Sequence, residues 1–209
     1  MRTTSLVLLL LASLNLVTAE SMNLLNGTNL DGWDSIGDGV WTVMRDGTLV
    51  GQRDLRQKPQ HQAWLYTKKD FAEFDLHLEW WLRLGGNSGI SIRDSSRAQY
   101  AVGEKWDAEK TPAHIGYEIQ LLNGYTDKFP SGSVYLFDRA KTGAQRDNDW
   151  NSLDIESRRD IIRVKINGQP VSESPGDPAR PKTGPIGLQL HDSNCVVMFR
   201  NIQIREISK

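Results

Sequence analysis

From Phe74 to Arg83 the chain alternates without a break, FDLHLEWWLR. Phe74, Leu76, Leu78, Trp80 and Leu82 fall on one side of an extended chain, and Asp75, His77, Glu79, Trp81 and Arg83 on the other. A period of two sustained this far predicts a strand with one face in a core. Gly85-Gly86-Asn87-Ser88-Gly89 follows, where Gly and Asn tolerate the positive φ of a tight reversal, and Ile90-Ser91-Ile92-Arg93 alternates again. The pair predicts a β-hairpin. Similar patterns predict strands at Tyr117–Leu121, Ile161–Ile166, Gly187–His191 and Val196–Arg205. Asn167-Gly168 predicts a hairpin from Ile166 into Gln169-Pro170-Val171, and Arg45-Asp46-Gly47 a turn between Val40–Val43 and Thr48–Val50. No long stretch shows a 3.6-residue period. Many short strands joined by Gly/Asn turns predict an all-β sandwich or jelly roll of two antiparallel sheets.

Four stretches lack any period: 53–62, 94–113, 123–132 and 172–183. Connections this long in a compact domain are often functional. The 209 residues fit one domain of ordinary size, and 38% hydrophobic with 24% charged is the composition of a folded chain. Lys plus Arg is 25 and Asp plus Glu is 26, for a net charge of −1, so nucleic acid is not expected as a partner. Cys195 is the single cysteine, which excludes an internal disulfide and disfavours a Cys-based zinc site. Beside Val196 and Val197 it reads as a small buried hydrophobe. At the N-terminus, Arg2 precedes an apolar run through Val17, and Val17-Thr18-Ala19 puts small residues before Glu20. Residues 1–19 therefore read as a cleaved signal peptide, with an uncleaved anchor as the other reading. Residues 20–209 would form one secreted or periplasmic domain without a membrane partner.

The polar strand faces carry the candidate chemistry. Glu79 comes with Trp81, Ser91 with Arg93, Glu118 with Gln120, and Gln189 with His191. Amides and carboxylates can fork onto vicinal hydroxyls, and Trp can stack on the C–H faces of sugars. A plain solvated face is the competing reading for any one of these residues. If the strands are neighbours, Arg93, Glu118, Gln120, Gln189 and His191 line one concave pocket for a carbohydrate. His61, His77 and His114 read as structural or solvent-facing. Asp31, Asp34 and Asp38 read as turn formers, since their spacing is not that of an EF-hand loop. Trp33 and Trp41 read as core. Asn26-Gly27-Thr28 is a glycosylation sequon, relevant in a eukaryotic source.

Further motifs extend the pattern. Leu24-Leu25-Asn26-Gly27 with Leu30-Asp31-Gly32-Trp33, Trp41-Thr42-Val43 with Gly47–Gly51, and Leu78-Glu79-Trp80 with Gly85–Ile90 and Arg93 occur in order. Gly116–Gln120, Gly132–Tyr135, Trp150-Asn151, Asn167-Gly168, Gly184–His191 and Phe199–Ile202 follow. Together they resemble the 3-keto-disaccharide hydrolase domain family over nearly all of residues 20–209. The resemblance implies a concanavalin A-like jelly roll. It also implies cleavage of 3-keto-glycosides or 3-keto-disaccharides. Trp81 stands where the family commonly has Arg, and Asn123 where it commonly has Asp.

A ketone at C3 of a glycoside acidifies the C2 proton. A base can remove it, the C1 substituent then leaves by elimination, and water adds. That route needs a base, an acid for the leaving group and a stabiliser for the enolate oxygen. Glu118 and His191 are the candidates for base and acid, in either order. Arg93 is the candidate stabiliser, and Glu79 a second acid/base or a partner for Arg93. Gln120, Gln189 and Asn151 would orient hydroxyls, with Trp81 and Tyr135 as further substrate contacts. Ordinary hydrolysis by Glu79 and Glu118 is one alternative, and a non-catalytic lectin-like module another. No cofactor is expected, and a divalent metal is left open.

Overall fold

The strand expected from the cleanest alternation forms as β6 (Phe74–Leu82), with its five apolar residues buried and the residues between them half exposed. Its neighbours are β13 (Val196–Glu206) and β9 (Asn151–Arg158). Trp80 pairs with Phe199, and Leu78 with Leu153, so the buried side chains stack in register on one face. The computed structural model describes residues 20–58, 60–124 and 127–207. Residues 1–19, which carry the expected signal peptide, lie outside them.

Among the described residues, two antiparallel sheets face each other, as the alternation and the resemblance imply. The eight-stranded sheet continues outward from β9 through β10 (Ile161–Ile166) to β11 (Gln169–Ser174). On the other side β13 pairs with β4 (Leu49–Arg53), which pairs with β3 (Gly39–Val43), and the short β1 (Met22–Asn23) adds onto β13. The five-stranded sheet runs β2 (Trp33–Ile36), β5 (Ala63–Thr67), β12 (Ile186–Leu190), β7 (Asn87–Ile92), β8 (Tyr117–Leu122). Ile90, Ile119, Leu65 and Leu188 meet Leu78, Trp80 and Phe199 in one buried core. Cys195 is buried with them, and its thiol is pushed up to about 12 by burial.

The Asn167-Gly168 and Arg45–Gly47 turns join paired strands as expected. The hairpin expected at Gly85–Gly89 does not form. Both edges of β6 are taken by β13 and β9, and both edges of β7 by β12 and β8. The Gly-rich segment is instead an arch from one sheet to the other. Gly85 has φ +76°, and a side chain at Gly86 would strike the Arg83 carbonyl at 2.7 Å. Asn123 locks the arch to the end of β8: its Nδ2 donates to the Leu82 carbonyl at 2.6 Å, and its carbonyl accepts from Gly85 N at 2.8 Å.

β5 escapes the period because all five of its residues are buried, with cover on both faces. β9 is obscured because Asn151 and Ser157 share its buried face with Leu153 and Ile155. In β13 a bulge between Arg200 and Gln203 inserts one residue, with Asn201 at φ +52°. It lets Phe199 and Ile202 both point inward, which strict alternation forbids.

The sheets are fastened at one end by a buried ion pair. Arg53 closes β4 in the larger sheet. Its Nε and Nη2 donate to the two oxygens of Asp38 at 2.8 and 2.9 Å. Its Nη1 donates to the His191 carbonyl, just beyond β12 of the smaller sheet, at 2.8 Å, and Nη2 to the Gln60 carbonyl at 2.5 Å. Both side chains are almost wholly buried. Removing one partner of such a pair strands the other charge, at a cost of about 3–5 kcal/mol. Asp38→Ala should lower unfolding free energy in urea by that order, and a loss below about 1 kcal/mol would show that the pair does not fasten the sheets.

Candidate active site

Two rows of side chains cross the outer face of the five-stranded sheet. In the first, Tyr66 pairs with Gly187, Gly187 with Ser91, and Ser91 with Glu118. In the second, Trp64 pairs with Gln189, and Gly89 with Gln120. Each row has a glycine near its middle. A methyl group on Gly89 would stand 2.8 Å from Glu118 Oε1 and 3.1 Å from Gln189 Oε1. One on Gly187 would fall inside the Tyr66 ring. The missing side chains let Glu118 and Gln189 lie over β7, and Tyr66 over β12.

Loops wall this face into a cleft of about 270 Å³. Glu118 and Gln120 come from β8, Asn87 from the start of β7, Gln62 from the lead into β5, and His191 from the end of β12. Trp106 comes from the loop over 94–111, His114 from the short helix α1 (Pro112–Ile115), and Asp127 and Tyr135 from the connection after β8. The 94–111 loop covers the rest of the face, where Ala98, Ala101 and Trp106 pack with Trp64, Tyr66 and Ile36.

Glu118 is only 6% exposed, and burial pushes its carboxyl up to about 8, with the Gln189 amide as a lesser opposing influence. Neither polar atom of the Gln189 amide completes a regular hydrogen bond, nor do Gln120 Oε1, Asn87 Oδ1 or Ser91 Oγ. Buried polar atoms are ordinarily paired, so a cluster of unpaired ones around a neutral carboxyl marks a place built for a polar ligand. His191 lies at the rim, half exposed, with Nδ1 2.8 Å from Asp192 Oδ1. That contact turns the ring so that Nδ1 faces the carboxylate and Nε2 points away from it. His114 Nδ1 lies 2.8 Å from Thr111 Oγ1. Among the described residues, no group of three His, Cys, Asp or Glu side chains is placed to hold a metal ion.

Glu118, Gln120, His191 and Tyr135 thus meet at the cleft, with Gln189 buried in its floor. The other expected site residues lie elsewhere. Arg93 is buried at the far end of β7, where its Nη1 donates to the Arg159 carbonyl at 2.6 Å and its Nη2 to that of Ala72 at 2.9 Å. It fastens the two sheets at that end and cannot stabilise an enolate over Glu118. Glu79 and Trp81 project from the outer face of the larger sheet. Glu79 accepts from Arg200 at 2.8 Å and Asn201 at 2.6 Å, so it partners neither Arg93 nor Glu118. Trp81 Nε1 reaches the Asn148 carbonyl at 3.4 Å. Asn151 is spent on the backbone of Arg146 and Asp149 and on Asn167.

Trp106, Asn87, Gln62 and Asp127 were not foreseen, and His114 was read as structural. Their sequence signal is that Gln62, Trp106 and Asp127 fall in stretches without a period. A wider groove of about 620 Å³ lies on the outer face of the larger sheet. Its charges pair among themselves, His77 with Asp154, Arg163 with Glu156, and Asp75 with Arg158 and Arg205. It holds no neutral buried acid, and the smaller cleft is the better candidate.

The raised Glu118 pKa has a thermodynamic consequence. The folded state keeps a proton that the unfolded state sheds near 4.5, so stability falls as pH rises from about 4.5 to about 8 and is level above that. Glu118→Gln removes this loss, on the order of a few kcal/mol. Its melting temperature should exceed that of the unsubstituted protein at pH 9 and lose that advantage at pH 4.5. A constant difference would mean that Glu118 is not held neutral. Gly89→Ala, which drives a methyl group into Glu118 and Gln189, should abolish whatever ligand binding the cleft supports while leaving the strand pairing seen by circular dichroism.

The family profile described as the 3-keto-alpha-glucoside-1,2-lyase-like domain matches residues 20–205. Two crystal structures, each described as a putative glycosyl hydrolase from Parabacteroides distasonis, superpose with TM-scores of 0.69 and 0.70 at 22% identity. Each alignment covers 90% of this chain, and 100% and 94% of theirs respectively. A Bacillus licheniformis β-glucanase superposes at 0.54 with 8% identity, over 93% of this chain and 100% of its own. These likenesses show the jelly-roll fold. No curated protein sequence matches the chain significantly. The profile match spans both sheets and every residue of the cleft, and the chain belongs to the 3-keto-α-glucoside-1,2-lyase-like domain family.

Proposed function

We propose that the protein cleaves 3-keto-glycosides in this cleft by removing the C2 proton, expelling the C1 substituent and hydrating the product. The observation that carries the reading is that Glu118, held neutral at pH 7 by burial, lines one cleft with His191, whose ring is oriented by Asp192. A carboxyl that keeps its proton and an imidazole in the same cleft are the two groups that acid and base chemistry needs. His191 Nε2 takes the C2 proton. Glu118 gives its proton to the departing C1 oxygen. The unpaired amides of Gln189 and Gln120 hold the C3 oxygen and the neighbouring hydroxyls, the part first expected of Arg93. Water then adds across the double bond and returns the protons.

Sugar release from 3-keto-trehalose or a 3-keto-glucoside, beside the unoxidised glycosides, tests the reaction. Turnover of the keto-glycosides in heavy water should place deuterium at C2 of the released keto sugar at early times. Full turnover with no early C2 label would remove the elimination route. Glu118→Gln and His191→Ala should each lower kcat by about 10²–10⁴-fold. Because Glu118 acts here as the acid, kcat/KM should fall as pH rises through about 8.

A second reading rests on Asp127, which gives the cleft a second carboxylate beside Glu118. Cleavage of ordinary glycosides alone, lost in Asp127→Asn, would favour two-carboxylate hydrolysis. Sugar binding without any cleavage would favour a lectin. The pattern from Arg2 to Ala19 adds that the protein works outside the cytoplasm, which a mature N-terminus at Glu20 would support.

A further inference from the structure

A short segment, 132–135, extends the five-stranded sheet past β8. Gln120 N donates to the Ser133 carbonyl at 3.0 Å, Tyr135 N donates to the Glu118 carbonyl at 2.8 Å, and Ile119 bridges Val134 between them. Ile119 and Val134 are both buried in the core, so Glu118 and Tyr135 stand opposite each other on the outer face. The row Tyr66, Gly187, Ser91, Glu118 thus continues to Tyr135. Glu118 has Gly89 on one flank and Tyr135 on the other, and both Glu118 and Tyr135 line the cleft.

The phenol has a fixed place. Gly132 N donates to the Gln120 carbonyl at 2.8 Å, and Ser133 Oγ donates to the Pro130 carbonyl at 2.6 Å and accepts from Ala140 N at 3.0 Å. The Phe129 ring backs that of Tyr135, with centroids 5.0 Å apart. The Tyr135 hydroxyl itself makes no hydrogen bond among the described residues. Thr111, the other hydroxyl of the cleft wall, is engaged with His114. Burial, with Glu118 and Asp127 nearby, raises the Tyr135 phenol above its usual range, so it keeps its proton and remains a donor.

Removing the C2 proton beside a ketone puts negative charge on the C3 oxygen, and a donor held there is worth most as that charge appears. Arg93 is spent on carbonyls elsewhere, and Gln189 lies in the floor. A phenol is a more acidic donor than an amide, so its hydrogen bond gains more as a ketone becomes an enolate. Side chains directly opposite on a sheet start about 4.5–5.5 Å apart, a spacing that suits groups serving ring carbons one apart, as C1 and C3 are. We infer that the Tyr135 hydroxyl donates to the C3 oxygen and is the catalytic group that stabilises the enolate, beside the cleft amides, while Glu118 serves C1. The phenol keeps its proton throughout. The C2 proton passes to His191, the C1 oxygen takes the proton of Glu118, and the charge at C3 is shared across the hydrogen bond until the C1 substituent leaves. The inference rests on the elimination reading of the cleft and adds the residue that its intermediate requires.

The probe is 1,5-anhydro-3-keto-glucitol carrying carbon-13 at C3, which has the C2 proton and the ketone but no leaving group. The comparison is with Tyr135→Phe, which keeps the ring against Phe129, with melting temperatures confirming that it folds. In isotope-edited infrared spectra the bound carbonyl stretch should lie at lower frequency in the unsubstituted protein than in Tyr135→Phe. Exchange of the C2 proton in heavy water, and kcat for 3-keto-trehalose, should each fall about 10²–10³-fold in the variant, with KM nearly unchanged. A carbonyl frequency that Tyr135→Phe leaves unmoved overturns the assignment, even where the rate falls, because the residue then acts only through the fold. An unchanged exchange rate in the variant overturns it as well. If the frequency shifts as expected but neither C2 exchange nor cleavage of keto-glycosides occurs, the contact with C3 stands and the proposed reaction fails. No binding of the probe overturns both.

Discussion

A sheet carries a Cβ at every position, so a carboxyl can lie flat on one only where its neighbour has none. Gly89 and Gly187 provide the two gaps, and much of the site follows from them. Over Gly89 the Glu118 carboxyl turns inward beside Gln189, out of water, and stays protonated near neutrality. Over Gly187 the Tyr66 ring lies down, and its hydroxyl donates to Asp94 at 2.8 Å. Asp94 also accepts from Ser96 N at 3.0 Å and Ala98 N at 2.7 Å, so it folds the start of the loop onto the sheet. That loop brings Trp106 to the rim, and α1 brings His114. The depth of the cleft therefore depends on two absent side chains.

The second requirement is that the two sheets stay fastened to each other at both ends. Two buried arginines meet it at opposite ends of the sandwich. Arg53 spends its donors on Asp38 and on carbonyls of His191 and Gln60, and Arg93 on carbonyls of Arg159 and Ala72. A guanidinium suits this work because its donors lie in one plane at fixed angles and keep their charge when buried. Lysine offers no such fork. The ion pair at Arg53 is costly to desolvate, and its worth lies less in net stability than in fixing the Gln60 backbone against the end of β12.

Which face each strand gives to the core was readable from the chain, because burial on one side leaves a period of two. β6 and most of β13 follow it, and Glu118 and Gln120 do share the face that the alternation assigns them. Which sheet a strand joins was not readable. Glu79 and Trp81 look like Glu118 and Gln120 in pattern, yet they project from the other sheet, because Gly85-Gly86 arches across rather than turning back. A Gly/Asn signal specifies a reversal and not its partner. Arg93 misled for a related reason. A lone arginine after a strand looks alike whether it faces a ligand or carbonyls, and only the contacts decide. Trp106 and His114 were hidden because no period marks a loop that packs on the outside of a sheet.

The energetics tie the cleft to its ligand. Each unpaired buried polar atom costs about 1–3 kcal/mol relative to a paired one, and Gln189, Gln120, Asn87 and Ser91 leave five together on one face. Apolar residues there would stabilise the empty fold, as they do on the opposite face of the same strands, where Ile90, Ile119 and Leu188 pack. The amides are thus a stability loss confined to the face that faces outward. A ligand whose hydroxyls both donate and accept can pair those that open on the cleft, Asn87 and Gln120 first, while the neutral Glu118 needs no counter-ion to be approached. Binding and folding then draw on the same contacts, so a well-matched ligand also raises the protein's stability. A poorly matched one leaves part of the cluster unpaired and loses that gain, which makes the unpaired amides a source of discrimination as well as of affinity.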